Sequence, residues 1–336
     1  MCPVGIWALV PSVMDDFKTF LLESFEVSLM GDANFFLGLR IRRQRRDWRL
    51  KLDQHAFIQT ILDRFNVSAN ARAVHTPLSS TKNLVPNKEP IENVIPKVRR
   101  HYQSIVESLM YLMLGTRPDL AYSVGKLAHF SSNPSSHHIC ALDRVLIYLR
   151  NTRTQHFDWY PEDNDAIHPS GSTDADFAGD TSDRKSTAGY YFWIGGTIFS
   201  WSSKESTIAT STTEAEYIAL YLASRQAAWI HQFYKQIGLT LDLPIEIWCD
   251  SQPALQVAKR EEAHRKVKHL DVEYHSIREQ VNEGQIELKW IKSENNVADI
   301  LTKSVPTDVF RKHRDNIGLS AEGEYKFDSS GDEDDC

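Results

Sequence analysis

The second half of the sequence places strand-like and helix-like hydrophobic patterns in an order that few folds accommodate. Three short strand-like runs come first, and Gly195-Gly196 between the second and third predicts a tight hairpin turn. The predicted elements are Ser172–Phe177, Gly189–Ile194, Thr197–Trp201, helix Thr212–Ile237, strand Ile245–Cys249, helices Pro253–Ala258 and Val267–Val281, strand Ile286–Ile291 and a final helix from about Asn296. This βββαβααβα order predicts an α/β fold whose mixed sheet has three antiparallel strands, then two parallel ones, flanked by helices.

Four acidic residues lie in or directly after strands, or in the first turns of helices, of this pattern. Asp174 lies inside the first strand, where aspartate is unfavourable, and Asp250 follows the strand Ile245–Cys249, at an edge where α/β sheets usually bind ligands. Glu216 lies in the first turns of the long helix, and Asp299 begins the last one. Without a matching cysteine cluster, carboxylates suit hard cations such as Mg²⁺, and two such ions can promote phosphodiester hydrolysis. These four residues therefore predict a metal-dependent nuclease.

Two neighbouring acids are alternatives to members of this set. Asp176 follows Asp174 by two residues, so both face the same side of a strand. Glu214 lies about 200° around a helix from Glu216, so only one of the two glutamates can point inward. Spacing alone leaves both alternatives open.

Five short motifs occur in a fixed order along this half of the chain. They are Ser172–Asp180, Arg184–Tyr190, Ser211–Tyr217, Lys268–Asp271 and Ala298–Lys303. Together they resemble the ribonuclease H domain of copia-type LTR-retrotransposon Pol polyproteins. The resemblance implies a ribonuclease H-like fold and endonucleolytic hydrolysis of the RNA strand of RNA–DNA hybrids during reverse transcription, with two Mg²⁺ ions that Mn²⁺ can replace. It carries the catalytic and metal-binding roles onto Asp174, Glu216, Asp250 and Asp299.

Basic and hydroxyl-bearing residues near these motifs are candidates for contacts to the hybrid. Such side chains bind phosphate and sugar oxygens. The candidates are Arg184, Lys185, Ser186, Thr187, Ser211, Lys268 and His269. A solvated basic face is the alternative interpretation.

The first half carries further motifs of the same polyproteins. These are Phe35–Ile41, Gln54–Ile58, Ser108–Leu112 and Thr116–Tyr122, which look like the end of the reverse-transcriptase palm, the thumb and the connection. The resemblance implies an α+β remnant and four segments. They are a truncated palm end and thumb (1–80), a linker with connection helices (81–165), the ribonuclease H domain (166–305) and an acidic, disordered tail (306–336).

The polymerase is expected to be absent from this chain. Asp15-Asp16 imitates the paired aspartates of reverse transcriptases, but the pair leads directly into a predicted helix, Phe17–Phe25. The fingers and most of the palm are missing, so we expect no RNA-directed DNA polymerase activity from this chain alone.

Cysteine usage and hydropathy exclude several classes of protein. No run approaches the roughly 18 apolar residues of a membrane span, and no secretory signal is recognised. The cysteines stand far apart, which argues against a disulfide framework or a zinc knuckle. They are Cys2, Cys140, Cys249 and Cys336. We therefore expect an intracellular protein, in the cytoplasm, in virus-like particles or in the nucleus.

Charge is distributed unevenly around a net value of −7. Six arginines lie between Arg40 and Arg49, and four acids crowd Asp332–Asp335. The arginines favour an alternative function, a catalytically inactive remnant that binds nucleic acid or has a structural role. The expected partners are an RNA–DNA hybrid and other Pol chains, with no membrane and no small-molecule substrate.

Overall fold

The structure is a computed structural model. It describes residues 11–28, 30–44, 46, 49–80, 84–160, 168–179, 184–205, 209–239, 241, 244–259 and 271–321. Within these ranges no helix combines the length and the apolar composition needed to cross a lipid bilayer.

Helices and strands are numbered separately in chain order. The helices are α1 (Pro11–Ser24), α2 (His55–Arg64), α3 (Pro96–Gly115), α4 (Ala121–Ala128), α5 (Ser136–Asn151), α6 (Thr212–Gln236), α7 (Gln252–Lys259), α8 (Asp271–Asn282) and α9 (Thr307–Asn316). The strands are β1 (Phe35–Phe36), β2 (Leu39–Gln44), β3 (Arg49–Asp53), β4 (Gln155–Trp159), β5 (Ser170–Asp176), β6 (Thr187–Ile194), β7 (Thr197–Glu205), β8 (Ile245–Cys249), β9 (Ile286–Trp290) and β10 (Leu319–Ala321). Short 3₁₀ helices lie at Ile91–Asn93, Pro118–Leu120, Ser293–Asn295 and Val297–Leu301.

The sheet of the second half has the order β7-β6-β5-β8-β9. Strands β5, β6 and β7 pair antiparallel, whereas β8 and β9 join β5 in parallel. The β6–β7 turn uses Gly195 and Gly196, both at positive φ, a conformation that glycine adopts without steric cost. This arrangement confirms the predicted α/β, ribonuclease H-like mixed sheet.

A second sheet, entirely antiparallel, has the order β1-β2-β3-β4-β10. Together with α2 to α5 it gives the first half its predicted α+β character. Strand β4 lies within the segment 81–165, for which only a linker and connection helices were predicted. Its partner β10 comes from residues near the end of the chain, and Leu319 pairs with Phe157.

The prediction of a disordered tail over 306–336 is wrong for its first part. Residues 307–316 form α9 and 319–321 form β10. Phe310, Ile317 and Leu319 are buried, and their burial outweighs the loss of chain entropy on folding. The acidic run that suggested disorder lies outside the described residues.

Two smaller predictions also differ from the structure. The helix expected from about Asn296 is a five-residue 3₁₀ helix, Val297–Leu301, that precedes α9. Helix α1 begins at Pro11, so Asp15 and Asp16 lie inside the helix rather than at its start.

The mixed sheet is covered on both faces. One face packs under α6 to α8, with Phe192, Leu220 and Ile247 in the core. On the other face Tyr191 and Ile198 share a core with the helices of the first half, and Trp201 Nε1 donates a 2.9 Å hydrogen bond to the Met113 carbonyl. The segments on either side of residue 165 therefore fold onto one core.

A substitution in α9 tests the ordering of this region. Phe310 is 5% exposed, and its ring lies 5.9 Å from that of Tyr148 in an edge-to-face contact. Phe310→Ala should lower the free energy of unfolding by about 3 kcal/mol, because it removes a buried aromatic side chain. Ser320→Ala, at an exposed site in β10, should leave it unchanged. Urea unfolding measures both, and a neutral Phe310→Ala would restore the disordered-tail prediction.

Candidate active site

The parallel pairing of β5 with β8 places two acids beside each other. Thr173 is in register with Cys249, the last residue of β8, so Asp174 and Asp250 follow a matched pair and lie at the same end of the two strands. Asp174 is 1% exposed, whereas Asp250 is half-buried. The Asp250 carbonyl accepts a 3.2 Å hydrogen bond from Trp290 Nε1, which fixes the backbone just after β8.

A glycine opposite Asp174 admits the segment that carries Asp299. Gly189 pairs with Asp174 across β5 and β6, and a Cβ at Gly189 would lie 2.7 Å from Thr302 Cγ2. The missing side chain lets the 3₁₀ helix Val297–Leu301 lie directly on the sheet. Thr302 then donates a hydrogen bond from its hydroxyl to Asp174 Oδ2.

Asn296 ties this 3₁₀ helix to the central strand. Its side chain is fully buried, accepts a 2.8 Å hydrogen bond from Ser172 Oγ and donates a 2.9 Å hydrogen bond to the Thr173 carbonyl. Its Oδ1 also accepts from the backbone N–H of Ala298. Asn296 therefore fixes Asp299 relative to Asp174, a role that its place in the sequence did not reveal.

The two glutamates at the start of α6 point in different directions. Glu216 is 9% exposed, and its carboxylate accepts a hydrogen bond from the backbone N–H of Ala175 in β5. Glu214 faces outward and accepts hydrogen bonds from the backbone N–H and the hydroxyl of Thr210. The helix thus turns Glu216 toward the sheet and leaves Glu214 at the helix N-terminus.

Asp176, the other alternative acid, lies against the loop that follows β5. A Cβ at Gly179 would collide with the Asp176 carboxylate, so this carboxylate packs directly on the backbone of residue 179. Burial, opposed in part by Lys303, raises the pKa of Asp176. Asp176 borders the cluster of Asp174, Glu216, Asp250 and Asp299.

Burial and mutual repulsion disfavour the ionised carboxylates of this cluster. Burial, then the charges of Asp174 and Asp250, raise the pKa of Glu216 to about 9. Burial, then the charge of Asp174, raise the pKa of Asp299 to about 7. Such shifts are typical of sites that bind a cation.

Lys303 provides a positive charge inside the cluster. Its ammonium lies 2.9 Å from Asp299 Oδ1 and 3.4 Å from Asp174 Oδ2. Burial lowers the pKa of Lys303, but the two carboxylates outweigh it and raise the pKa above its ordinary value. Lys303 closes the motif Ala298–Lys303, and the resemblance assigned it no role. Its spacing of four residues from Asp299 was the available signal.

The residues of the cluster fit divalent cations that prefer oxygen ligands. Glu216 Oε2 is buried and accepts no hydrogen bond from any residue that the structure describes. Glu216 and Asp250 offer ligand atoms that lie, together with Cys249 Sγ, within 4.8 Å of one another. Carboxylate oxygens are the ligands that Mg²⁺ takes in proteins. The ammonium of Lys303 contacts two of the four acids, Asp174 and Asp299, so these carboxylates already bind a positive charge.

The candidate hybrid-binding residues lie on different elements and differ in how exposed their side chains are. Arg184 is exposed, Lys185 forms a 3.1 Å ion pair with Glu205, and Thr187 is half-buried at the start of β6. Ser211 caps α6, where its hydroxyl accepts the N–H of Glu214.

Three candidates remain, Ser186, Lys268 and His269. Ser186 is fully buried and accepts a hydrogen bond from the N–H of Ala178, so the predicted contact of its hydroxyl with a nucleic acid is wrong. A buried hydroxyl that already accepts a hydrogen bond from the backbone of a loop is not available to a ligand. Lys268 and His269 lie outside the described residues.

Much of the arginine run is paired within the antiparallel sheet. Arg40 and Arg42 both contact the buried carboxylate of Asp53, and Arg49 contacts Asp158. These ion pairs neutralise positive charge that the alternative interpretation, a nucleic-acid-binding remnant, would use to bind phosphates.

The buried glutamate makes stability depend on pH in the absence of metal. The pKa of Glu216 is about 9 in the folded protein and 4.5 ordinarily, so between these values the folded state binds more protons than the unfolded state. The free energy of unfolding should therefore fall as pH rises. In EDTA, from pH 5 to pH 8, the parent should lose about 4 kcal/mol more than Glu216→Gln. Urea unfolding at both pH values measures this, and identical losses would contradict it.

Comparisons with known proteins place the chain among transposon polyproteins. No protein-family model matches the sequence. The chain is 38% identical over 304 residues to the retrovirus-related Pol polyprotein from transposon TNT 1-94 of Nicotiana tabacum, covering 89% of this chain and 22% of the relative. It is 31% identical over 316 residues to the corresponding polyprotein from transposon RE1 of Arabidopsis thaliana, covering 92% of this chain and 20% of the relative.

A solved structure is similar to part of the chain. The LC11 ribonuclease H1 in complex with an RNA/DNA hybrid is 20% identical, with a TM-score of 0.31, and the match covers 40% of this chain and 93% of that one. The chain spans about a fifth of the length of the two polyproteins. It belongs to the family of copia-type, retrovirus-related Pol polyproteins of transposons.

Proposed function

We propose that this chain hydrolyses the RNA strand of RNA–DNA hybrids endonucleolytically, as the metal-dependent ribonuclease H of a retrotransposon Pol protein. One observation carries the proposal: four carboxylates converge where β5 and β8 end, and Glu216 keeps a buried oxygen that accepts no hydrogen bond from the described residues. Asp174, Glu216, Asp250 and Asp299 are the proposed catalytic residues and metal ligands. Family membership supports the hybrid as substrate, because reverse transcription produces such hybrids.

The residues of the chain prepare the cluster for this chemistry. When bound, Mg²⁺ or Mn²⁺ supplies Lewis acidity at the attacking and leaving oxygens of a phosphodiester. The Thr302 hydroxyl and the Lys303 ammonium orient the Asp174 carboxylate. The backbone N–H of Ala175 holds Glu216 toward the sheet, and Lys303 offsets part of the negative charge that would repel a phosphate.

Binding of the hybrid is assigned to the rim of the cluster. Arg184, Lys185, Thr187 and Ser211 are retained as candidate contacts, and Lys268 and His269 as candidates by resemblance. Basic contacts to phosphates make binding weaken steeply as salt rises.

Other Pol chains are a second proposed class of partner. The proposed location is intracellular, and polymerase activity is proposed to be absent from this chain.

Hydrolysis of a labelled RNA–DNA hybrid tests the function. The parent with Mg²⁺ should cleave the hybrid and leave single-stranded RNA and duplex DNA intact. Asp250→Asn should cleave at least about a hundredfold more slowly, because it removes one charged ligand of the cluster. Asp308→Asn, at an exposed acid in the first turn of α9, is the matched control and should cleave at the parental rate.

Each other outcome of this assay has a definite meaning. Undiminished cleavage by Asp250→Asn would refute the assigned site. Salt-sensitive binding of the hybrid without metal-dependent cleavage would identify a catalytically inactive, nucleic-acid-binding remnant instead.

A further inference from the structure

A buried thiol lies among the carboxylates of the candidate active site. Cys249 is the last residue of β8 and is fully buried. The alternation along β8 places it on the same face as Ile245 and Ile247, in the core covered by α6. Its Sγ and the carboxylate oxygens of Glu216 and Asp250 all lie within 4.8 Å of one another.

This donor set is not the one that Mg²⁺ prefers. Mg²⁺ takes oxygen ligands, whereas a thiolate selects softer ions such as Zn²⁺ and Cd²⁺. Zinc bonds of about 2.0 Å to oxygen and 2.3 Å to sulfur span a trio of this size after small side-chain movements. Among the residues that the structure describes, the hydrogen bonds of the thiol join it to the main chain of Ser251, at 3.4 and 4.0 Å.

A second observation points to a cation at the same place. Glu216 is nine-tenths buried, and its Oε2 accepts no hydrogen bond from any described residue. A buried acceptor without a donor costs free energy, and a bound cation would remove that cost. The trio therefore combines a soft ligand with a buried carboxyl oxygen that accepts no hydrogen bond from the described residues.

We propose that Glu216, Cys249 and Asp250 form a binding site for a thiophilic divalent ion, Zn²⁺ or Cd²⁺, that excludes the catalytic Mg²⁺. The thiol gives its proton to the buffer when the metal–sulfur bond forms. Exclusion follows because the soft ion occupies two carboxylates that the catalytic ions need. The binding of the soft ion stands on the geometry alone, and the inhibition rests on the proposed function.

Cadmium binding in the absence of Mg²⁺ tests the site directly. The full chain titrated with Cd²⁺ should develop the ultraviolet charge-transfer band of a cadmium–thiolate bond, and Cys249→Ser should lose the part of this band that saturates first. The difference between the two proteins isolates Cys249 from the other cysteines. Glu216→Gln retains the thiol, and its affinity for Cd²⁺ should fall at least about tenfold. A band of equal strength and affinity in parent and Cys249→Ser would overturn the proposal.

Zinc inhibition of hybrid cleavage tests the exclusion. With the rate of each protein expressed relative to its own rate without zinc, half-inhibition of Cys249→Ser should need at least about tenfold more Zn²⁺ than that of the parent. Equal sensitivity would show that zinc acts without the thiol and would overturn the exclusion. If no preparation cleaves hybrids, the proposed function fails while the cadmium result still decides the site. If Cys249→Ser fails to fold by circular dichroism, the Glu216→Gln titration decides it.

Discussion

Glu216→Gln is expected to cleave RNA–DNA hybrids about a thousandfold more slowly than the parent, whereas Glu214→Gln keeps the parental rate. A thousandfold loss equals about 4 kcal/mol of transition-state stabilisation, the scale expected when a charged metal ligand becomes neutral. Glu216 is buried against β5, and Glu214 faces outward toward Thr210. The two variants make the same chemical change two residues apart on one helix.

Single-turnover cleavage with saturating hybrid measures this contrast. The loss for Glu216→Gln should appear in the rate of cleavage and not in the binding of the hybrid, which a filter or fluorescence assay measures separately. Equal losses in both variants would mean that the start of α6 is sensitive to any change. A loss confined to Glu214→Gln would exchange the roles of the two glutamates.

Arg117→Met is expected to lower the free energy of unfolding by about 3 to 5 kcal/mol. Arg117 is fully buried and binds Asp119 through two hydrogen bonds, of 2.9 and 2.7 Å. Asp119 also accepts a 2.7 Å hydrogen bond from Tyr148, and Arg117 donates one of 2.6 Å to Thr152. Methionine fills similar volume but leaves the Asp119 carboxylate buried without its counter-charge, which is the costly half of the change.

Urea unfolding at neutral pH measures the effect of Arg117→Met. Lys292→Met removes the same charge from an exposed ion pair with Glu294 and should change the free energy of unfolding by less than about 0.5 kcal/mol. Asp119→Asn combined with Arg117→Met should recover part of the loss, because it removes the stranded charge. An Arg117→Met variant as stable as the parent would show that the buried pair contributes nothing.

Several features of the fold followed from local patterns in the sequence. The β6–β7 hairpin was predictable because Gly195-Gly196 supplies the positive φ values that its turn requires. Amphipathic spacing predicted α6, and strand alternation predicted β8, because each element buries one face. The acids Asp174, Glu216, Asp250 and Asp299 could be named from their places at element ends. The choice of Glu216 over Glu214 needed the direction in which α6 faces the sheet.

Other features have no local signal in the chain. Strand β10 pairs with β4 across roughly 160 residues of sequence, so neither strand could be recognised from its own neighbourhood. The contact that Ser186 makes also has no local signal. Its hydroxyl is a candidate phosphate ligand by sequence, but in the fold it accepts a hydrogen bond from the N–H of Ala178. Composition predicted disorder over 306–336 because acidic residues dominate the end of this segment. Its first part is ordered because three apolar side chains in it are buried.

The sequence by itself determined the strands of the mixed sheet, their order and the acids that lie in or beside its elements, because hydrophobic period and turn chemistry act between near neighbours. Only the tertiary structure decided what surrounds those acids. The ammonium of Lys303, the amide of Asn296 and the thiol of Cys249 reach the cluster through packing between separate elements. Charge, desolvation and metal preference depend on distances across such contacts, and these distances are set by the folded core rather than by spacing along the chain.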